Sequence, residues 1–451
     1  MAEQFQSQQL ALATAGARLP FLSALNQQGQ DAFAAASIPT RKTEAWKYTS
    51  LLKLTGAEFG AVQNTALTSE LQAAAKIDGL NAARLVFVNG QLNRELSDAL
   101  ALEQVTLFSA ANSAQQALIS EKLGSVLAQA NGSEHLFNDL NNAAVNEGVL
   151  VQIGKNQRLE QALQILHLTT TNAQPFTVNA RLLLVLENGA EATVVEQYGS
   201  DSAEQLSFTN ALTEIIVGDN ARIQHYRLET MQEQALHIGS THIALSRDSQ
   251  YNAFHLGLGT NLTRNDIVVN HNVGGSHAEI AGVYIPQNAQ VIDFHTCIEH
   301  KVAHCTSNEV FRGIMNDKAK AIFNGRIHIH PQAQKTNAQL SNKNLLLTNS
   351  AEIYTKPELE IYADDVKCAH GATVAQLEEK ARFYLQSRGI SKREAEVMLS
   401  FGFINELLES LPHEAITNLL RPVLAKRFGR DDDLAAHLLE NEAAGLTGER
   451  A

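Results

Sequence analysis

The sequence predicts a mainly β protein: a parallel β-helix core over residues 148–375, preceded by a mostly helical region (1–147) and followed by a helical domain (376–451). Three observations carry this. From about residue 148 the chain becomes a succession of short Val/Ile/Leu/Thr-rich runs, with little that could form a long helix. The runs are broken by small polar turns that resemble one another: ENGAEAT (187–193), VGDNARI (217–223), SRDSQYN (246–252), GGSHAEI (274–280), PQNAQVI (286–292), MNDKAKA (315–321) and NSAEIYT (349–355). Several of these turns recur roughly 27–31 residues apart, an imperfect repeat. Short strands at that spacing suggest a solenoid, in which each coil buries its inward face against the next. An irregular β-sandwich is the runner-up, and it needs more regular two-stranded hairpins than the sequence offers.

The elements follow in order. To about residue 80 the chain is rich in Ala, Gln and Leu and reads as helical, punctuated by Pro20 and Pro39, with the only tryptophan, Trp46, inside IPTRKTEAWKYTS (38–50). A short strand pair is expected around LVFVNGQL (85–92), turning at Asn89-Gly90, before further helical sequence to about residue 147. Beyond the β region, QLEEKARFYLQSRG (376–389) ends in Gly389, a helix-stop signal, and Ser391 with Glu394 forms a capping box for the next helix. That helix, 392–411, presents Val397, Phe401, Ile404 and Leu408 at helical spacing with Met398, Leu407 and Leu411 beside them, and Pro412 stops it. Amphipathic segments at 413–428 and 431–443 complete the domain. Such a face is more often packed within its own domain than used for binding, but so apolar a short domain leaves some of it for a partner.

Composition narrows the function classes. The chain has 451 residues, 35 basic against 48 acidic, a net charge of −13, and no cluster of Lys or Arg, which argues against nucleic acid and anionic membranes as partners. No secretory signal or transit peptide is visible, and the longest apolar runs, such as LLLVL at 182–186, fall far short of a membrane span. Three cysteines, Cys297, Cys305 and Cys368, do not suit a disulfide framework, so a soluble, reducing, cytoplasmic setting is expected.

Several familiar catalytic devices are missing: there is no GxxxxGK[ST], HExxH, GxSxG or CxxC, and GLGTNL (257–262) lacks the third glycine of a dinucleotide loop. DFHTCIEHKVAHC (293–305) gathers His295, Cys297, His300, His304 and Cys305 but lacks zinc-finger spacing, and a structural role is expected. His328 and His330 share one strand face and read as packing or surface residues; Asp364 and Asp365 are adjacent and face opposite ways. In YADDVKCAHGATV (362–374), Cys368 and His370 stand two apart on a strand, on the same side, roughly 6–7 Å apart. They are two metal-capable ligands where a closed zinc or iron–sulfur site takes four, hence half of a site. On residue type alone a buried thiol and a satisfied histidine are the plainer reading.

Longer stretches carry a resemblance. LEIYADDVKCAHGATV (359–374) closely resembles the signature of the SufB/SufD family, scaffold proteins of the SUF iron–sulfur cluster assembly system. PTRKTEAWKYT (39–49), FNDLNNAAVNEG (137–148), VFRGIMNDKAKAIFNGRIHIHPQAQKTNAQLSNKNLLL (310–347) and FYLQSRGISKREAEVML (383–399) resemble further family elements, so the likeness covers nearly the whole chain. The WKYT element and Gly371, where SufB-type sequences tend to carry glutamate, are similar to the SufD side of the family; Ala375 departs from a frequent glycine without touching the ligands.

The resemblance implies a right-handed parallel β-helix flanked by helical domains, a non-catalytic scaffold that pairs with SufB and binds the ATPase SufC. It implies a nascent iron–sulfur cluster forming transiently at the SufB–SufD junction, with His370 as the important ligand, Cys368 as a secondary one, and the remaining ligands from SufB. It also implies that SufC docks on the C-terminal helices, for which Val397, Met398, Phe401, Ile404 and Leu408 are the candidate residues, and that this chain binds no nucleotide itself. A homodimer is a further possibility. The competing reading is a β-helix carbohydrate-active enzyme, a polysaccharide lyase or hydrolase, which would need carboxylates or a basic residue clustered along one groove; the acidic residues are scattered instead.

Overall fold

Strand follows strand from Val149 to Gln376, and each hydrogen-bonds in parallel to the strand two further on rather than to its neighbour in sequence. The computed structural model describes residues 2–16, 18–63, 77–127, 136–231 and 233–429. Alternate strands sort into two sheets, of ten and nine strands, and one coil holds two strands. This is the predicted parallel β-solenoid. Register is maintained from coil to coil: Glu299 lies opposite His328, Ala338 opposite Cys368, and Leu340 opposite His370. Period-two alternation turns one side of every strand inward, so Ile292, Phe294 and Ile298 meet Phe311, Phe323 and Ile327 in one continuous core. Phe294, Phe311 and Phe323 form a ladder of rings with centroids 5.6 and 4.9 Å apart.

The turns on one side of the solenoid form a second ladder. Asn156, Gly189, Asn220, Asp248, Gly275, His304 and Lys335 occupy successive turns with φ between +53° and +83°. Backbone N–H groups there bond carbonyls of the next turn, as in Gly189 to Asp219 (2.8 Å), Asn220 to Arg247 (2.8 Å) and Gly275 to His304 (3.2 Å). Gly, Asn and Asp tolerate this left-handed conformation, which is why four of the turns were readable as a repeat; His304 and Lys335 hold it without that advantage.

Flanking helices cover both outer faces. On the nine-stranded sheet, helices Ala2–Ala15, Ser23–Ala35 and Leu136–Ala144 surround Phe5, Phe59 and Phe137 packed on Phe208, Leu236 and Leu262. Trp46 is clamped there, with the Arg264 guanidinium 3.9 Å from its ring centroid and Arg264 itself paired to Asp266 (2.9 Å) and Asp293 (3.0 Å). The expected Asn89-Gly90 turn joins Ala82–Val88 to Gln91–Leu92. Ala82–Val88 also pairs in parallel with Ala162–Thr169, so the solenoid draws a strand from the region read as mostly helical; Leu85 and Phe87 alternate into the core and fix it there. On the ten-stranded sheet sit Lys392–Glu409 and Glu414–Gly429, and Glu379–Ser387 lies against the first of them. The Ser391/Glu394 capping box is formed, and Gly389 takes φ +90° beyond the preceding helix. The segment 431–443 lies outside the described residues. No helix among those described is long and apolar enough to cross a membrane.

The inside of the solenoid is not wholly apolar. Glu196 lies 2.8 Å from His225 and accepts from Tyr198 (2.9 Å), while Arg227 pairs with Glu229 (3.1 Å), all of them buried. Burial pushes His255 down to about 3 and His167 to about 4, from an ordinary 6.5. Both stay neutral in the fold while the unfolded chain protonates near 6.5, so the unfolded state binds more protons below that pH and stability falls on acidification. Each histidine is expected to remove roughly 2 kcal/mol between neutrality and pH 5. Urea midpoints at pH 7.5 and pH 5 measure this; His255→Gln is expected to shrink the difference.

Candidate functional site at the open end of the solenoid

Among the described residues the coil-to-coil ladder stops at Glu352–Ile361 in one sheet and Lys367–Gln376 in the other, each ten residues long and each bonded to a strand on one side only. Their inward residues Ile353, Leu359 and Cys368, with Val366 just before the last strand, rest on the core but are only partly buried, because no further coil among the described residues lies above them. Ile361, Tyr362 and Val374 are exposed at the same end. Long uncovered edges over an unfinished core are a template for another chain.

Cys368 and His370 sit on the last strand. Their partners in register, Ala338 and Leu340, belong to the core, so both candidate residues carry the inward parity at the open end. The expectation of a shared face holds. Cys368 is half-buried, and burial raises its thiol while the hydrogen bond from the Ala338 backbone works the other way. His370 is exposed. Next to it, Gly371 has open space around the position of a Cβ, so the fold does not require glycine there. Two coils below His370 in the same column lies Glu309, whose carboxyl burial pushes up to about 8.

The other candidates are redistributed. His295, Cys297, His300, His304 and Cys305 do not converge. His295 pairs with Asp293 (2.9 Å); His300 points inward and stacks on His271 (4.4 Å); His304 occupies a left-handed turn; Cys305 is buried beside Ser276. Alternation splits the run between two faces. His295 and Cys297 share the outer face, His295 turned to Asp293 and Cys297 lying beneath Arg326, its thiol pushed up to about 12 by burial and by Glu299.

His328 and His330, read above as packing or surface residues, take on a different part. Nδ1 of His328 and Nε2 of His330 each lie 2.8 Å from Oε2 of the buried Glu299. Burial acts to raise the Glu299 carboxyl, but the His330 hydrogen bond and the His328 and Arg326 charges outweigh it and hold it low. The sequence signal that could have found this trio is the offset of one coil, 29 residues, between Glu299 and His328.

Of the helix residues assigned to a partner, Val397, Phe401, Ile404 and Leu408 are buried against Leu228, Phe254, Leu256, Val283 and Ile314 of the protein's own sheet. That face is closed, because the outer side of the ten-stranded sheet is apolar and needs cover. Met398 is 38% exposed, and the preceding helix, which buries none of its residues, offers Phe383 (72%) and Tyr384 (57%).

The fold and its open end define a β-solenoid that leaves two strand edges and a thiol–imidazole pair uncovered at one end. The family model for the SufBD core domain of SUF-system iron–sulfur cluster assembly matches residues 167–403, and the model for the SufBD N-terminal region matches 3–165. The chain therefore belongs to the SufB/SufD family of SUF iron–sulfur cluster assembly proteins. It is 34% identical to the iron–sulfur cluster assembly protein SufD of Escherichia coli over 393 residues, 87% of this chain and 89% of that one. It is 33% identical to an iron–sulfur cluster assembly SufBD family protein of Synechocystis over 409 residues, 89% of this chain and 90% of that one, and 29% identical to SufD of Bacillus subtilis over 65% and 67%. Between assembly and carbohydrate chemistry, family membership favours assembly.

The thiols rank by access. Treatment of the native chain with iodoacetamide is expected to alkylate Cys368 first and to leave Cys297 and Cys305 unmodified until urea unfolds the protein. Peptide mass spectrometry against time checks the order.

Proposed function

We propose that this chain is a non-catalytic scaffold subunit of a cytoplasmic SUF complex. It pairs with SufB through the free edges of its last coil and holds a nascent iron–sulfur cluster at that junction. The observation that carries this reading is the pair of unpaired ten-residue edges over partly exposed core residues. A second solenoid end stacked there continues both ladders and completes the core. His370 is the ligand assigned to the cluster, with Cys368 secondary. Two donors from this chain leave two or more to SufB, as a shared site requires. The cluster is cargo, assembled and passed on.

ATP hydrolysis belongs to SufC in this scheme, in keeping with the missing phosphate loop in the sequence. SufC docks on the C-terminal helices through Phe383, Tyr384 and Met398, the apolar side chains left exposed there. Closure of SufC on nucleotide then biases the junction between arrangements, with the differential contacts of the closed dimer supplying the energy. A second copy of this chain competes for the same edges, so the homodimer is the resting alternative to the SufB pair.

Two experiments test the scheme. In cells, His370→Ala is expected to leave the complex with SufB and SufC intact, while iron and sulfide in the purified complex and the activity of cluster-dependent enzymes fall at least about tenfold; normal enzyme activity would remove His370 from the site. Phe383→Asp combined with Tyr384→Asp is expected to release SufC on co-purification while SufB remains. Retention of SufC would exclude that face.

A further inference from the structure

We propose that Glu299, His328 and His330 form a second metal site, separate from Cys368 and His370, which takes a single divalent first-row transition ion of the Fe2+ or Zn2+ class. It lies on the outer face of the nine-stranded sheet and is complete within one chain, so it does not depend on the pairing with SufB.

The solenoid builds it by register. Glu299 and His328 are direct neighbours on adjacent coils, and His330 follows two residues on, held by its backbone N–H on the His300 carbonyl (3.0 Å). One donor atom from each of the three lies within 4.8 Å of the other two. Two ring nitrogens converge on one carboxylate oxygen, Glu299 Oε2, at 2.8 Å each. A metal replaces those two N–H···O contacts by two N–metal bonds and one O–metal bond, each imidazole proton moving to the other ring nitrogen. Metal–ligand bonds of about 2.0–2.2 Å fit between donors at these separations after small side-chain shifts.

The donor set selects the ion. One carboxylate and two imidazoles with open positions suit Fe2+ or Zn2+, whereas Ca2+ and Mg2+ need six or more oxygens, several of them from rigidly placed carboxylates or waters. Glu299 is fully buried while the side chains of His328 and His330 keep 14% and 24% of their surface, so the carboxylate is rigid and the entrance is on the imidazole side.

Arg326 is the main opposing charge. Its Nη1 donates to Glu299 Oε1 (3.0 Å), not to Oε2, and its Nε and Nη2 are bound to Glu360 (2.9 and 2.8 Å), whose charge offsets it. The guanidinium thus fixes one oxygen of Glu299 and leaves the other facing the histidines, the orienting part that outer-shell partners play at metal sites. Lys301 stands near the same carboxylate and weakens the site somewhat. Cys297 completes the surroundings, its Sγ 3.3 Å from Arg326 Nη1 and 3.5 Å from Glu299 Oε1.

The test uses the full-length chain, anaerobically, with Co2+ as the probe read by its visible d–d bands, and Fe2+ measured by metal analysis after gel filtration. One equivalent is expected in the wild type and in Cys368→Ser/His370→Ala. Affinity is expected to fall at least about tenfold in His330→Gln and further in Glu299→Gln. Because Glu299 is buried, circular dichroism accompanies that variant, and the partly exposed His330→Gln carries the test if Glu299→Gln misfolds. Absence of Co2+ binding in the wild type would mean a hydrogen-bonded cluster only. Binding lost in Cys368→Ser/His370→Ala, or unchanged in His330→Gln, would also overturn the site.

Discussion

The parallel backbone ladder between coils is the constraint on which the rest depends. A strand in this fold satisfies its N–H and C=O groups only on coils before and after it, and it buries its inward side chains only against those same coils. Once the coil length is set near 29 residues, side chains one coil apart are stacked in columns whatever their separation in sequence. Phe294 over Phe323, His271 over His300 and Glu299 over His328 are all products of that one repeat. The same constraint makes the outer faces apolar enough to need helices, and it leaves the last coil with edges that no strand among the described residues satisfies.

Stacking also explains how the solenoid tolerates charge inside. Glu196, Arg227 and Glu229 would each be strongly unfavourable alone in so dry a place, yet the columns surround them with His225, Tyr198, Thr213, His237 and Asn265. Removing one member leaves another charge uncompensated, which costs about 3–5 kcal/mol in comparable buried pairs. Such a network holds the coils in one register, since a slip of two residues along any strand would separate every pair at once.

Local signals were legible, and non-local ones were not. The turns at Gly189, Asn220, Asp248 and Gly275, the Asn89-Gly90 hairpin and the Ser391/Glu394 cap are written in two to four adjacent residues, and each forms as read. The apolar stripe Val397–Leu408 was equally plain, but a stripe does not say which surface will cover it; the answer depended on Leu228, Phe254 and Val283, more than 100 residues away. Similarly, Ala82–Val88 was seen as a strand but not as part of the solenoid, because its partner Ala162–Thr169 is a matter of register. The pairing of Cys368 with His370 was visible because both lie on one strand. The trio at Glu299 was hidden because its members meet only across coils.

The two proposed ligand sets differ in a way that follows from where each sits in the ladder. In the interior of the wall, a residue has a neighbour one coil below and another one coil above, so Glu299, His328 and His330 find three donors in one chain. On the last strand no coil lies above among the described residues. Cys368 and His370 have Ala338 and Leu340 beneath them and, among the described residues, no strand on the other side, so the described end of the solenoid brings these two donors together on one strand. In the function proposed, a four-ligand cluster on this strand needs donors that arrive with whatever continues the ladder, and the same edges that would bind the second chain would bring its side chains to Cys368 and His370. In that proposal the incomplete ladder and the incomplete ligand set have one origin. The wall site, closed on both sides by its own coils, has no such dependence.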